Sequence, residues 1–447
     1  MKQRLCSPAF LLAMVWLGLG VAVLAAPDPK AKAAPPTLKV IADRAEAIYR
    51  QGETVTFQIS LLPADALPED AEVQWTITKD GVPPQQSGKL KLPGGRGSIT
   101  GKLDEPGFLL CKVTCQTPAK AALTALGGAA VDPLLIKPSL PVPDDFDAFW
   151  AQQRQKLAAV PMNARLAPVK SPAAEIACFD LQADCVGAPV SGYFAKPAGA
   201  KPKSLPAILT VHGAGVRSSS LGAAATWARE QMLALDINAH GLPNGQPEKF
   251  YTDLANGELK DYRTRGRESR DTIYFQGMFI RLMRAMDFLC SQPEWDGRTL
   301  VVHGSSQGGA QSIVAAGLDA RVTFIAAGVP AMCDHTGIVA GRVNGWPKFI
   351  ASGSDNAKPD PKVVEAVRYY DAMNFGTRAK AEAILTVGFI DTTCPPTSVY
   401  AAYNAYAGKK TIFNDPPSTH TVSPKAGEAM RNAIRAHVLA RRENTAP

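Results

Sequence analysis

The chain is poor in the features that mark metal-binding, nucleic-acid-binding and membrane-embedded proteins. Its 447 residues include eight cysteines, none at Cys-x-x-Cys spacing, and only six histidines. Cys333 and His335 form an isolated pair, so the sequence calls for no metal site and no cofactor. The formal net charge is +8. The basic residues are scattered, with no run of five or six, which argues against a nucleic-acid surface. The apolar run Phe10–Leu24 is short for a membrane span.

That apolar run reads instead as part of a leader. Lys2 and Arg4 precede it, and Val23-Leu24-Ala25-Ala26 follows with small residues for cleavage. Residues 1–26 are therefore expected to be a secretory signal, and a retained anchor is the alternative. Cys6 lies before the apolar run, the wrong place for lipid attachment after cleavage. A secreted or periplasmic protein with no membrane span after cleavage follows. Export permits disulfides. Cys111 and Cys115, four apart on an expected strand, are separated by about 13 Å and cannot pair. Cys178 and Cys185 flank an expected hairpin and are the pair that could bridge.

What is present is an ordinary globular composition, 46% hydrophobic and 20% charged, in a chain long enough for two domains. Residues 37–132 carry short alternating strands, among them Glu53–Ser60, Glu72–Thr78, Ser98–Leu103 and Phe108–Thr114. That spacing suggests an immunoglobulin-like β-sandwich, with Trp75 as a core residue rather than a sugar platform. Residues 133–143 are rich in proline and read as a linker. Residues 144–447, beyond the linker, hold the strands and loops that carry the chemistry.

The chemistry is carried by Thr299-Leu300-Val301-Val302-His303-Gly304-Ser305-Ser306-Gln307-Gly308-Gly309. Gly-x-Ser-x-Gly recurs by chance in a chain with 37 glycines. Here an apolar strand leads into it and Ile313–Ala316 continues it as a helix, the context of a nucleophile elbow. Ser306 is the expected nucleophile. A serine needs a base, and the base an orienting acid. Three histidines follow Ser306. His437 lies in an expected terminal helix, Ala426–Arg441, and reads as a surface residue; His335 sits just beyond a strand. His420 lies in the loop after the strand Lys410–Phe413 and is the expected base. Asp391 ends the apolar run Glu382–Ile390, at the carboxyl end of a strand where such sheets place site residues. Asp415 competes but sits among prolines on the histidine loop. For the oxyanion, the sequence offers the amide of Gln307 and one from His212-Gly213-Ala214-Gly215, that of Gly213 or Ala214.

These residues carry a resemblance. Asp144-Asp145-Phe146-Asp147-Ala148-Phe149-Trp150, the Ser-Gln-Gly-Gly elbow, Val329-Pro330-Ala331-Met332-Cys333-Asp334, Asp391-Thr392-Thr393-Cys394-Pro395-Pro396 and His420 are similar to those of α/β-hydrolases of the acetyl xylan esterase and cephalosporin-C deacetylase type, carbohydrate esterase family seven. The resemblance covers roughly residues 140–447. It implies a doubly wound, mostly parallel sheet and a serine esterase acting on acetylated carbohydrate or another small acetyl ester. It further implies a homo-oligomer, and a substrate pocket that includes His240 and Pro330. The chain departs from the family pattern at His240, where an arginine is usual, at Thr421 after the catalytic histidine, and at Ala214, where relatives tend to carry an aromatic. These departures bear on which ester is cleaved and on the oligomer. Two other readings remain: a peptidase or larger-acyl esterase on the same fold, and a non-catalytic cell-wall-binding protein working through the sandwich. Since every expected catalytic residue lies at or beyond His212, a chain starting near Pro141 is expected to keep small-ester activity.

Overall fold

In the computed structural model, hydrophobic alternation gives way to continuous apolar runs where the chain passes from its front to its rear portion. The structure describes residues 35–443, apart from 69–71, 80, 84, 118–121 and 351–357. The expected leader lies outside the described residues.

The front portion contains β1 (Thr37–Ala42), β2 (Ile48–Tyr49), β3 (Thr54–Leu62), β4 (Glu72–Lys79), β5 (Gln86–Lys91), β6 (Arg96–Lys102), β7 (Gly107–Gln116) and β8 (Ala122–Val131). They form a three-stranded sheet, β1-β3-β6, and a five-stranded sheet, β2-β8-β7-β4-β5. Inward residues of both sheets, among them Phe57, Ile59, Ile99, Val73, Ile77, Leu109 and Cys111, share one buried cluster. The alternation in β3 (Val55, Phe57, Ile59 and Leu61 buried) is the period of a half-buried strand. Trp75 packs against that cluster and lies across Gly88 on the neighbouring strand.

The rear portion contains β9 (Arg165–Pro168), β10 (Ile176–Ala183), β11 (Val190–Pro197), β12 (Leu205–Val211), β13 (Leu233–Ile237), β14 (Trp295–Ser305), β15 (Phe324–Gly328), β16 (Glu382–Gly388) and β17 (Lys410–Asp415). Its helices are α1 (Phe146–Ala158), α2 (Leu221–Arg229), α3 (Glu248–Asn256), α4 (Phe275–Ser291), α5 (Gln307–Leu318), α6 (Pro361–Val367), α7 (Ala372–Gly376), α8 (Pro396–Ala405) and α9 (Pro424–Glu443). The nine strands make one sheet in the order β17-β16-β15-β14-β12-β13-β11-β10-β9. From β13 to β17 all neighbours are parallel, while β9, β10 and β11 are antiparallel. Strands buried on both faces must be apolar throughout, and β12, β13 and β15 are buried at every residue. One sheet face packs on α2 and α9, the other on α1, α4, α5 and α8.

The proline-rich segment 133–143 is held along its length. Asn404 donates to the Pro133 and Ile136 carbonyls at 2.9 and 2.8 Å, and Arg342 donates to Lys137 at 3.1 Å. Ser139 bonds buried Asp334 through both its amide and its hydroxyl. The front portion reaches further. Ala47, Phe108 and Ala130 belong to the large buried cluster of the rear portion. Thr37–Pro447 is accordingly one compact unit.

Two sequence expectations are corrected. Cys178 lies on β10 and Cys185 two residues beyond its end, in the turn toward β11, so the extended strand from Cys178 to Ala183 already carries the chain about 17 Å away, beyond disulfide reach. Both are buried free thiols. His437 is not a surface residue: its side chain is 9% exposed and stacks on Phe324 at 4.9 Å, bonding Thr323 at 3.0 Å. The terminal helix lies across the sheet, and its apolar face takes the imidazole with it.

Candidate active site

Three loops at the carboxyl ends of parallel strands bring three side chains together. Ser306 occupies the turn between β14 and α5 with φ 57° and ψ −121°. A left-handed φ on a non-glycine residue is costly and persists only when neighbours fix it. The Ser306 amide donates to the Gly328 carbonyl at 2.8 Å, and the Ala331 and Ala310 amides donate to the Ser306 carbonyl at 3.0 Å. The turn also needs its flanking glycines. A Cβ on Gly304 would lie 2.5 Å from the Val211 carbonyl oxygen, and one on Gly308 would overlap it.

His420 Nε2 lies 2.8 Å from Ser306 Oγ, and His420 Nδ1 lies 2.7 Å from Asp391 Oδ2. The second Asp391 oxygen accepts the Thr393 and Cys394 amides, both at 2.8 Å. Asp391 is 3% exposed, so its carboxylate is fixed in position and spared competition from water. His420 remains a quarter exposed, as a residue that must meet a substrate has to be. The competitor Asp415 makes no such contact; one of its oxygens is buried without a partner. This arrangement can take the proton from Ser306 and return it to a leaving group.

The oxyanion-side elements are adjacent. Gln307 is the first residue of α5, where an amide has no carbonyl within the helix to bond. A Cβ built on Gly213 would stand 3.5 Å from Ser306 Cβ, so this loop lies against the elbow. Ala214 follows it, half-buried. His212 secures the loop: its Nε2 accepts the Ala239 amide at 3.2 Å and its Nδ1 faces the Gly213 carbonyl. Burial, helped by the Arg217 charge, lowers its pKa to about 4, so it stays neutral in this role.

His240 and Pro330 sit beneath the surface. His240 is 3% exposed, bonds the Tyr274 hydroxyl at 2.8 Å and meets the Tyr262 ring edge-on at 4.7 Å. Burial first, then the charges of Arg281 and His212, lower its pKa to about 3. Pro330 is buried against Gly309 of α5.

Three features of the site were not read from the sequence. Tyr262 donates to the Gln307 side-chain carbonyl at 3.2 Å, 45 residues away with no local signal. The two amides on Asp391 were available to inference, because an aspartate often accepts amides two and three residues on. Cys394 brings its thiol within 4.8 Å of the ligand atoms of Asp391 and His420. Burial and the nearby Asp391 charge raise that thiol well above the usual range, so it stays protonated.

Residues 135–429 match the family model described as acetyl xylan esterase. Acetyl esterase Axe7A of Xylanibacter ruminicola is 31% identical over 390 residues, covering 85% of this chain and 86% of that protein. The solved acetyl xylan esterase from Paenibacillus sp. R4 superposes with a TM-score of 0.59 at 28% identity, covering 68% of this chain and 98% of that one. Acetyl xylan esterase 1 from Thermoanaerobacterium sp. JW/SL YS485 shares the fold with a TM-score of 0.55 at 21% identity, covering 68% of this chain and 96% of that one. The chain therefore belongs to the acetyl xylan esterase family and is a carboxylic ester hydrolase.

Proposed function

We propose that the protein removes acetyl groups from acetylated xylan or xylo-oligosaccharides by a Ser306–His420–Asp391 acyl-enzyme mechanism. The observation that carries this reading is the unbroken hydrogen-bonded series Asp391–His420–Ser306 at a strained elbow. His420 removes the Ser306 proton as Oγ attacks the acetyl carbonyl. The oxyanion rests on the amides of Gln307 and of Gly213 or Ala214. The sugar alcohol leaves with the proton from His420. Water, deprotonated by the same imidazole, then releases acetate. Asp391 holds the imidazole in the required tautomer and stabilises its charged form. No step calls on a cofactor.

Residues 1–26, read as a secretory leader, support a site of action outside the cytoplasm, where polymeric carbohydrate is met. The front sheets are read as an immunoglobulin-like domain, 37–132, preceding a catalytic domain, 144–447. The test is acetate release from acetylated xylan, other acetylated sugars and cephalosporin C by the native and Ser306→Ala proteins. Acetate from acetylated xylan with the native enzyme alone supports the reading. Preference for longer acyl nitrophenyl esters, or release that persists in Ser306→Ala, overturns it.

A further inference from the structure

The five-stranded front sheet has two faces with different partners. On β8, Gly127, Ala129 and Val131 face the other front sheet, while Gly128 and Ala130 face the rear portion. A Cβ on Gly127 would lie 2.6 Å from Val40 Cγ1; one on Gly128 would lie 2.5 Å from the Phe389 carbonyl oxygen and 2.8 Å from its carbonyl carbon. On β7, Leu109 and Cys111 belong to the front core. Phe108 points the other way, with its ring 5.1 Å from Phe389, edge-on, and 5.6 Å from Tyr400. Phe389 is two residues before Asp391.

The backbone that leads into Asp391 is held to the rear portion by long hydrogen bonds. The amides of Phe389, Ile390 and Asp391 make long hydrogen bonds, 3.4, 3.3 and 3.4 Å, to Asp415, Ser418 and Gly388. Two of these acceptors lie at the start of the His420 loop, so a shift of Phe389–Asp391 reaches both triad partners of Ser306. Beside the contact, a cavity of about 220 Å³ separates Thr76, Leu110 and Lys112 from Thr392, Pro395 and Pro396. Gly128 and Phe108 thus press from the front sheet on the residue that leads into Asp391.

We propose that the front sheet is a working part of the active site, with Gly128 and Phe108 as positioning residues that hold Phe389–Asp391 and so set the Asp391–His420 hydrogen bond. The 68% coverage of this chain by the two solved relatives leaves room for an element that those enzymes do not share. This inference rests on Asp391 being the triad acid.

The experiment compares Gly128→Ala with Gly127→Ala in the full-length protein. Both add a methyl group to the same strand, but only the first presses on Phe389. Active sites are counted by burst titration with p-nitrophenyl acetate. The low-field proton resonance of an Asp-bonded imidazole reports the His420–Asp391 contact. Gly128→Ala is expected to lower kcat per titrated site about tenfold or more, with KM within twofold, and to shift or erase the resonance. Gly127→Ala is expected to lower Tm while leaving both readouts unchanged. If Gly128→Ala does not fold, Phe108→Leu, which removes the ring edge but keeps an apolar side chain, decides by the same two readouts. Native kcat and an unmoved resonance in the folded variant overturn the inference, as does an equal loss in Gly127→Ala. Asp391→Asn separates the two levels. If it is fully active, the triad reading fails; if it is inactive while Gly128→Ala is native-like, only the positioning role fails.

Discussion

His420 stands between Ser306 and Asp391, 2.8 Å from one through Nε2 and 2.7 Å from the other through Nδ1. Because both ring nitrogens are engaged, the tautomer is set: the carboxylate can only accept, so Nδ1 carries the proton and Nε2 is left to receive one from Ser306. Ser306→Ala removes the attacking atom and leaves the backbone unchanged. Turnover should fall by several orders of magnitude, with Tm within a few degrees of the native value. Acetate release and thermal unfolding measured on one preparation check this.

Asp391→Asn keeps the shape of the site and removes its charge. The amide can donate to Nδ1, which favours the wrong tautomer, and kcat should drop about 10⁴-fold. Asp415→Asn should leave kcat within a few fold, because the Asp415 side chain touches neither His420 nor Ser306. Parallel kinetics at neutral pH settle the ranking. Reversed ranks would mean that the carboxylate is misassigned.

The placement of Asp391 beside His420 was legible in the sequence because Asp391 ends an apolar run of strand length and is followed by a proline-rich turn. The elbow was legible for the same reason: local pattern and local chemistry coincide at Ser306. What lay beyond sequence reading is non-local. His437 lies in a helix with a basic end, which reads as surface, but in the fold its ring packs on Phe324, 113 residues away. The run Leu126-Gly127-Gly128-Ala129-Ala130-Val131 lacks clean alternation because both faces of β8 are covered. A strand covered on both faces gives no periodic signal of which partner lies on which side.

A set of buried neutral histidines should draw stability down on the acid side of neutrality. Burial holds His335 at about 3, His240 at about 3 and His212 at about 4, against an ordinary 6.5. Between these values and 6.5 the unfolded chain binds protons that the folded protein refuses. The contribution of these three histidines is therefore fully present above pH 6.5 and is lost as pH falls toward 4, by about 1.4 kcal/mol per pH unit for each. The buried carboxyls of Asp371 and Asp236, raised by burial to about 8 and about 6, work in the opposite direction. His335→Phe, whose ring can keep the contact with Phe349, should flatten this acid limb. Circular dichroism melts from pH 8 to 4 on both proteins give the two slopes, and equal slopes would remove His335 from the account.

Removing the front portion should cost activity even on small soluble esters. The position of the catalytic residues, all at or beyond His212, argues that a chain starting near Pro141 keeps its turnover. The packing argues otherwise. Phe389 and Tyr400 are each 1% exposed, and the Phe108 ring covers both. Uncovering one side of each forfeits part of the roughly 1.5–3 kcal/mol that full burial of such a side chain contributes. The front portion also seats Gly81 against Val343. Val343 belongs to the segment in which Gly345 abuts Pro395 and the Trp346 amide bonds the Thr393 carbonyl at 2.8 Å. Thr393 in turn donates its amide to Asp391. Truncation therefore loosens the acid loop from two sides. The truncated protein should have a lower Tm and, where circular dichroism shows it folded, a kcat for p-nitrophenyl acetate at least tenfold below the full chain. A folded truncation with native turnover would restore the front portion to an accessory role and limit it to contact with the polymer.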